Sequence, residues 1–236
     1  MDFDKLDFTL QKQIKIYMVI PAFDPGMILV TLVEQLIRAW EGPWELEIVL
    51  VDDGSSRQCR QVFSDIQSMS SQLGGLNYQM DFNQYHCSIL THDRQKGKGA
   101  ALKTAFSYIE PRAHAEDIIV LMDADGSHDP RDAIRLGHQC AREEWGIYLG
   151  RGGSSGGRDM EDKKAGFFRR SLFYLRSHTR LQDPDNSLRA FPASLLPFME
   201  KVAGSRAEYE ENMLIQAAKN QIPVREILLP VHEKEN

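Results

Sequence analysis

Three short apolar runs constrain this chain more than anything else in it: IKIYMVI at 14–20, EIVLV at 47–51 and DIIVLM at 117–122. Each stops abruptly at a polar sequence, PAFD, DDGSS and DADGSH respectively. Near-continuous apolar runs of this length read as strands buried on both faces. Apolar residues at helical spacing fill Met27–Trp40, and helices are predicted over 57–72, Lys98–Ile109 and Arg131 to about Glu143. Further strands are expected at Ser88–Thr91 and Ile147–Leu149. Strands alternating with helices predict an α/β fold, a mostly parallel central sheet flanked by crossover helices. In such sheets ligands gather beyond the carboxyl ends of the strands, where the three polar sequences fall.

The second half is less regular. GRGGSSGGRD, Gly150 to Asp159, predicts a mobile loop over 150–162 that could act as a lid. Helices are expected over KKAGFFRRSLFYLRSHTR (163–180) and YEENMLIQAAKN (209–220), and a last strand over VREILLPV (224–231). With no internal repeat, one domain spanning 1–236 is the simplest organisation.

Composition removes several classes. The 28 basic and 34 acidic residues give a net charge of −6, which offers no global reason to bind nucleic acid. Three widely spaced cysteines, Cys59, Cys87 and Cys140, suit a reduced cytosolic compartment rather than zinc or a disulfide framework. The start, MDFDKLDF, lacks the layout of a secretory signal, and no apolar run approaches the ~18–20 residues needed to span a bilayer.

The polar sequences carry the chemistry. Asp52 and Asp53 stop a strand where carboxylates can bind a base or ribose, or where Asp53 or Ser55 can simply cap a helix. RQKGKGAALKTAF (94–106) brings glycines and Lys98 to a helix start, an arrangement that suits a diphosphate or, more commonly, a turn with a solvated lysine. Asp123 and Asp125 are stronger candidates. In an extended segment they project to the same side, and their oxygens suit Mg²⁺ or Mn²⁺ completed by substrate phosphates. Ser127 and His128 follow closely enough to line the same pocket. D-x-D-G-[ST] also fits a haloacid-dehalogenase-type phosphatase, but there the motif normally opens the chain, and here about half the chain precedes it.

Taken in order, VIPAFDPG, IVLVDDGSS, QKGKGAALKTAF, IVLMDADGSHDP, DPDNSLRAF and EYEENML resemble family 2 glycosyltransferases of the GT-A fold, over nearly all of 14–231. The nearest branch by motif is the polyprenyl-phosphate hexose synthases, similar to dolichyl-phosphate-mannose synthase. The resemblance implies a nucleotide-sugar-binding half at 14–145 and an acceptor-side half at 146–236. It places Pro21, Ala22 and Asp24 in the nucleotide pocket, Asp52 and Asp53 on base and ribose, and Lys98 nearby. Asp123 and Asp125 would hold the metal on the diphosphate, with Ser127 and His128 beside it. Asp183 would stand at the acceptor as base or positioning group, and Arg189 would neutralise phosphate. The departures are Asp24-Pro25 for the usual Asn-Glu, Ser127 for a glutamine and Ser187 for a glycine.

The implied reaction is an inverting, metal-dependent transfer of a hexose from a UDP- or GDP-sugar to a polyprenyl phosphate or a cell-surface glycan precursor. The segment 163–180 has six basic residues and no acid. It suits contact with a lipid phosphate at the inner membrane face of a cytoplasmic protein, though packed helices with a solvated basic side are commoner. A nucleotide-sugar-binding module without turnover is the non-enzyme alternative.

Overall fold

The computed structural model describes residues 14–76, 85–152, 181–184 and 186–230. The expected segment 163–180 and most of the glycine-rich loop lie outside them, as does the end of the last expected strand. In chain order the elements are β1 (Lys15–Ala22), α1 (Ile28–Ala39), β2 (Glu45–Asp52), α2 (Arg60–Leu76), β3 (Tyr85–Thr91), α3 (Lys98–Ile109), β4 (Ile118–Leu121), α4 (Pro130–Cys140) and β5 (Ile147–Gly152). They continue with β6 (Arg189–Pro192), a short 3₁₀ turn, α5 (Leu196–Lys201), α6 (Glu208–Lys219) and β7 (Val224–Leu229).

The seven strands form one sheet in the order β3-β2-β1-β4-β6-β5-β7. Only β6 runs against its neighbours, pairing antiparallel with both β4 and β5. The α/β class and mostly parallel sheet expected from the apolar runs are what the chain adopts. The runs are almost wholly apolar because both faces are covered. Tyr17, Val19, Val49, Val51, Ile119 and Leu121 point into one core with α3, α5 and α6. Ile16, Met18, Ile20, Ile48, Leu50 and Val120 point into the other, with α1, α2 and α4. Alternation with period two assigns each residue to its side.

Pro21 sits in a central strand, normally a poor place for a residue without an N–H. Val19 O accepts from Met122 N on the β4 side, and Ala22 O accepts from Asp53 N on the β2 side. Pro21 therefore faces the β4 side, one step beyond the last β1–β4 pair, Val19 with Leu121. The β1–β4 ladder ends before reaching it.

Two expectations change. No strand was read in LRAF, yet β6 is there, too short to show a period. The loop expected over 150–162 is corrected at its first three residues, because Gly150–Gly152 belong to β5, and its remainder lies outside the described residues. A Cβ on Gly150 would lie 2.7 Å from Leu229 Cδ1 and 3.0 Å from Leu188 Cδ2, so this glycine serves packing in a strand. No helix among the described residues is long and apolar enough to cross a membrane.

Candidate active site

The carboxyl ends of β1, β2 and β4 deliver PAFD, DDGSS and DADGSH to one edge of the sheet, as parallel pairing in register requires. PAFD and DDGSS lock together. Asp24 N donates to Ser55 Oγ at 2.9 Å, and Ser56 N donates to Asp24 Oδ1 at 2.7 Å. The Ser56 bond holds the Asp24 carboxyl below the usual range. Asp24 adopts a positive φ of 46° to do this, a conformation rarely taken by residues other than glycine, asparagine and aspartate. Neither Asp53 nor Ser55 caps α2.

Asp52 and Asp53 are almost fully buried, at 2% and 3% exposure. Asp52 Oδ1 accepts from Ser55 N at 2.7 Å, closing the turn. Asp53 Oδ1 meets His92 Nδ1 at 2.6 Å and accepts from Lys96 N at 2.8 Å, and Oδ2 accepts from Gly97 N at 2.7 Å. A carboxylate with these three partners fixes the loop into α3 and already answers the positive end of that helix.

Of the two readings of Gly97–Gly99, the diphosphate cradle finds its space filled by protein. A Cβ on Gly97 would meet Ser205 O at 2.5 Å, and one on Gly99 would meet Tyr209 Cβ at 2.6 Å. Ala100 N donates to Ser205 O at 2.9 Å, spending one of the free N–H groups of the helix start. The glycines admit the 205–209 segment rather than a ligand.

Lys98 is not a solvated lysine either. Its Nζ lies 2.6 Å from Asp123 Oδ1 and 2.7 Å from Glu210 Oε2. Glu210 is a site residue that sequence reasoning missed, although EYEENML contains it; nothing in the sequence ties it to Lys98. Asp125 is exposed, and hydrogen bonds from Ser127, including Ser127 N to Oδ1 at 2.9 Å, hold its carboxyl below the usual range. The end of the motif starts α4: Asp129 Oδ1 accepts from Arg131 N, and Pro130 occupies the first turn.

His128 joins the two halves. Its Nε2 lies 2.8 Å from Ser187 Oγ, so the serine that departs from the usual glycine holds the D-x-D turn to the 183–188 segment. Burial pushes the His128 imidazole below its ordinary range, and Lys98 adds to this against the opposing pull of Asp123, Asp125 and Asp132. Asp183 and Gln182 are fixed through their main chain, both donating N–H to Glu226 Oε1 of β7, at 2.8 and 2.9 Å. Arg189, expected as a phosphate ligand, is 1% exposed. Its guanidinium donates to Asn186 O, Glu210 O and Pro184 O at 3.0, 2.8 and 3.4 Å. In this position it ties the Asp183 loop to α6 and does not face the opening.

Asp123 and Asp125 each have one oxygen engaged by protein, at Lys98 and Ser127. Two hard carboxylates at an open strand end fit a Mg²⁺ or Mn²⁺ ion that takes its remaining ligands from phosphates and water. No cage of three or more acids, histidines or cysteines occurs among the described residues.

This arrangement of fold and site defines a class, and the comparisons with known proteins agree. The model of glycosyl transferase family 2 matches residues 17–199. The chain belongs to this family and is a glycosyltransferase with the GT-A type of α/β fold. No curated protein sequence matches it. Among solved structures it is similar to glucosyl-3-phosphoglycerate synthase from Mycobacterium tuberculosis in complex with Mn²⁺, UDP and glucosyl-3-phosphoglycerate. That likeness has a TM-score of 0.66 at 14% identity, covering 94% of this chain and 72% of the other. A further solved structure, of a mycobacterial protein, gives 0.64 at 16%, covering 94% and 68%. Residues 1–349 of TarS from S. aureus give 0.56 at 14%, covering 92% and 58%. At these identities the likeness speaks for the fold. The phosphatase alternative is set aside by the family and by the order of the motifs.

Proposed function

We propose that the chain transfers a hexose, with inversion, from a UDP- or GDP-sugar bound over β1, β2 and β4. The acceptor is a polyprenyl phosphate or a cell-surface glycan precursor, as in the polyprenyl-phosphate hexose synthase branch. The observation that carries this reading is the pairing of Asp123 and Asp125 at the end of β4 with the Asp183 segment, held together by His128 and Ser187. Donor and acceptor chemistry would meet across that contact.

Asp123 and Asp125 would hold Mg²⁺ or Mn²⁺, which when bound supplies charge to the diphosphate leaving group. Lys98 adds a second cation at the same place, of most value as negative charge builds on the departing nucleoside diphosphate. Pro21, Ala22 and Asp24 shape the floor beneath the nucleotide. Asp52, bonded by Ser55 N, and Asp53, bonded by Lys96 N, Gly97 N and His92, contribute by fixing the loops around it. Asp183 takes a proton only if the acceptor is an alcohol, because a phosphate acceptor is already ionised. Arg189 acts as a positioning residue, holding the Asp183 loop against α6. Contact with a membrane surface through 163–180 belongs to the same reading.

A transfer assay tests it. UDP- and GDP-hexoses are incubated with polyprenyl phosphate in detergent micelles and Mn²⁺. The expected result is hexosyl-lipid and free nucleoside diphosphate in equal amounts, both lost in Asp123→Asn. Nucleotide-sugar binding without turnover on any acceptor would instead identify a silent binding module.

A further inference from the structure

Lys98 is already doing what a metal would do at Asp123. Its ammonium lies 2.6 Å from Asp123 Oδ1, on one of the two carboxylates assigned above to the divalent ion. The same ammonium is shared with Glu210 Oε2 at 2.7 Å. The other oxygen of Glu210, Oε1, is buried and has no hydrogen-bond partner. An ammonium has three donors and Glu210 has an unused acceptor, so Lys98 can move wholly onto Glu210 without losing a charged partner. Glu210 is held ready for it: Arg189 Nη1 donates to Glu210 O at 2.8 Å, and α6 carries Tyr209, whose ring packs against Gly99 beside Lys98. Lysine and glutamate thus sit on two helix starts pressed together with little room to drift.

We propose that Lys98 is the resident cation of the D-x-D site and that Glu210 is its receiving carboxylate. In the free enzyme Lys98 neutralises Asp123 and competes with a bare divalent ion. When the ion arrives with a nucleotide diphosphate, Lys98 transfers to Glu210 and stays beside the phosphates. Glu210 is therefore a positioning residue for the transfer reaction, and the pair makes metal binding depend on nucleotide. This rests on the reading that Asp123 and Asp125 hold the metal.

The test is equilibrium dialysis of Mn²⁺ against the full chain, first alone and then with UDP or GDP, with folding checked by circular dichroism. Lys98→Met removes the competing cation and should tighten binding of Mn²⁺ alone at least about tenfold, the scale of a unit charge in contact at a partly screened site. Lys96→Met makes the same charge change at a side chain that is 45% exposed and paired with Asp93, and should alter it less than about twofold. Glu210→Gln leaves Lys98 bearing on Asp123 alone and should weaken binding of Mn²⁺ several-fold, roughly the cost of strengthening one ion pair. Glu211→Gln, the next residue of the helix, should not. If Lys98→Met does not fold, the two glutamate variants decide the matter by themselves. Equal Mn²⁺ affinity in Lys98→Met and Lys96→Met, or in Glu210→Gln and Glu211→Gln, overturns the proposal. Should that happen while nucleotide still brings Mn²⁺ to the wild type, the donor-site reading survives. Absence of protein-bound Mn²⁺ under all conditions removes both.

Discussion

Asp183 and Arg189 stand six positions apart in one motif, and their surroundings give them different work. Asp183 is half-buried with its main chain held by Glu226, leaving its side chain available to an acceptor. Asp183→Asn should therefore report which acceptor is used. With an alcohol it costs about 10²–10⁴-fold in kcat, the usual worth of a general base, and with polyprenyl phosphate less than about tenfold. Steady-state rates on the two acceptor classes separate these outcomes. Arg189 is legible in the sequence as a charge near phosphate chemistry, but burial gives its guanidinium to three carbonyls. Arg189→Met leaves those carbonyls unpaired and should cost about 2–4 kcal/mol in urea denaturation, since charge-assisted bonds contribute about 1.5–3 kcal/mol each and part is recovered by relaxation. The Lys98–Glu210 contact was illegible for a simpler reason: a lysine and a glutamate far apart in sequence carry no sign of pairing until the sheet is folded.

Elements show the same division. The strands were readable because burial on both faces of β1, β2 and β4 leaves no polar interruption except Glu47. That residue is answered by Lys15 Nζ at 2.8 Å, Ser88 and Tyr108. β6 was not readable because four residues, beginning with arginine and ending with proline, show neither a period nor a run. The α3 glycines suit either a diphosphate or a turn with a solvated lysine in the sequence, and in the fold they admit the 205–209 segment. Gly99→Ala places a Cβ 2.6 Å from Tyr209 Cβ and 2.9 Å from the Ser205 carbonyl carbon. It should destabilise by about 1–3 kcal/mol, the range for overpacking, and lower activity by shifting Lys98 against Glu210. Thermal unfolding and transfer rate check the two parts.

α4 supplies a pH dependence. His138 lies edge-on between Trp40 and Trp44, with ring centroids at 5.3 and 4.9 Å. Burial, and secondly Arg142, lowers its pKa below the usual 6.5. The unfolded chain then binds this proton more readily than the folded one. The stabilisation is full above about pH 6.5 and is lost as pH falls through the folded value. Urea midpoints measured from pH 7.5 down to 5 should fall less steeply in His138→Gln than in the wild type.

At the scale of the whole molecule, one seven-stranded sheet brings together sequences that lie at both ends of the chain. D-x-D comes from β4, Asp183 from the approach to β6, and Glu210 from the helix before β7, and His128, Ser187 and Arg189 knit them. The family was legible because its motifs keep their order along the chain even where single residues depart. The departures proved structural where they could be followed: Asp24 bridges two loops, and Ser187 takes His128. Donor identity was not legible because, of the residues nearest the expected base, Asp53 gives both its oxygens to protein donors and Asp52 gives Oδ1 to Ser55 N.

A nucleotide sugar and a divalent ion should bind together at Asp123 and Asp125. Thermal unfolding of the wild type and of Asp125→Ala, across UDP- and GDP-hexoses with and without Mn²⁺, measures this directly. A ligand at a hundred times its Kd stabilises a fold by about 2.7 kcal/mol. A shift of that order is expected for at least one nucleotide sugar with Mn²⁺, most of it gone without the metal or in Asp125→Ala. Equal shifts in the two proteins, or none with any donor, would contradict it.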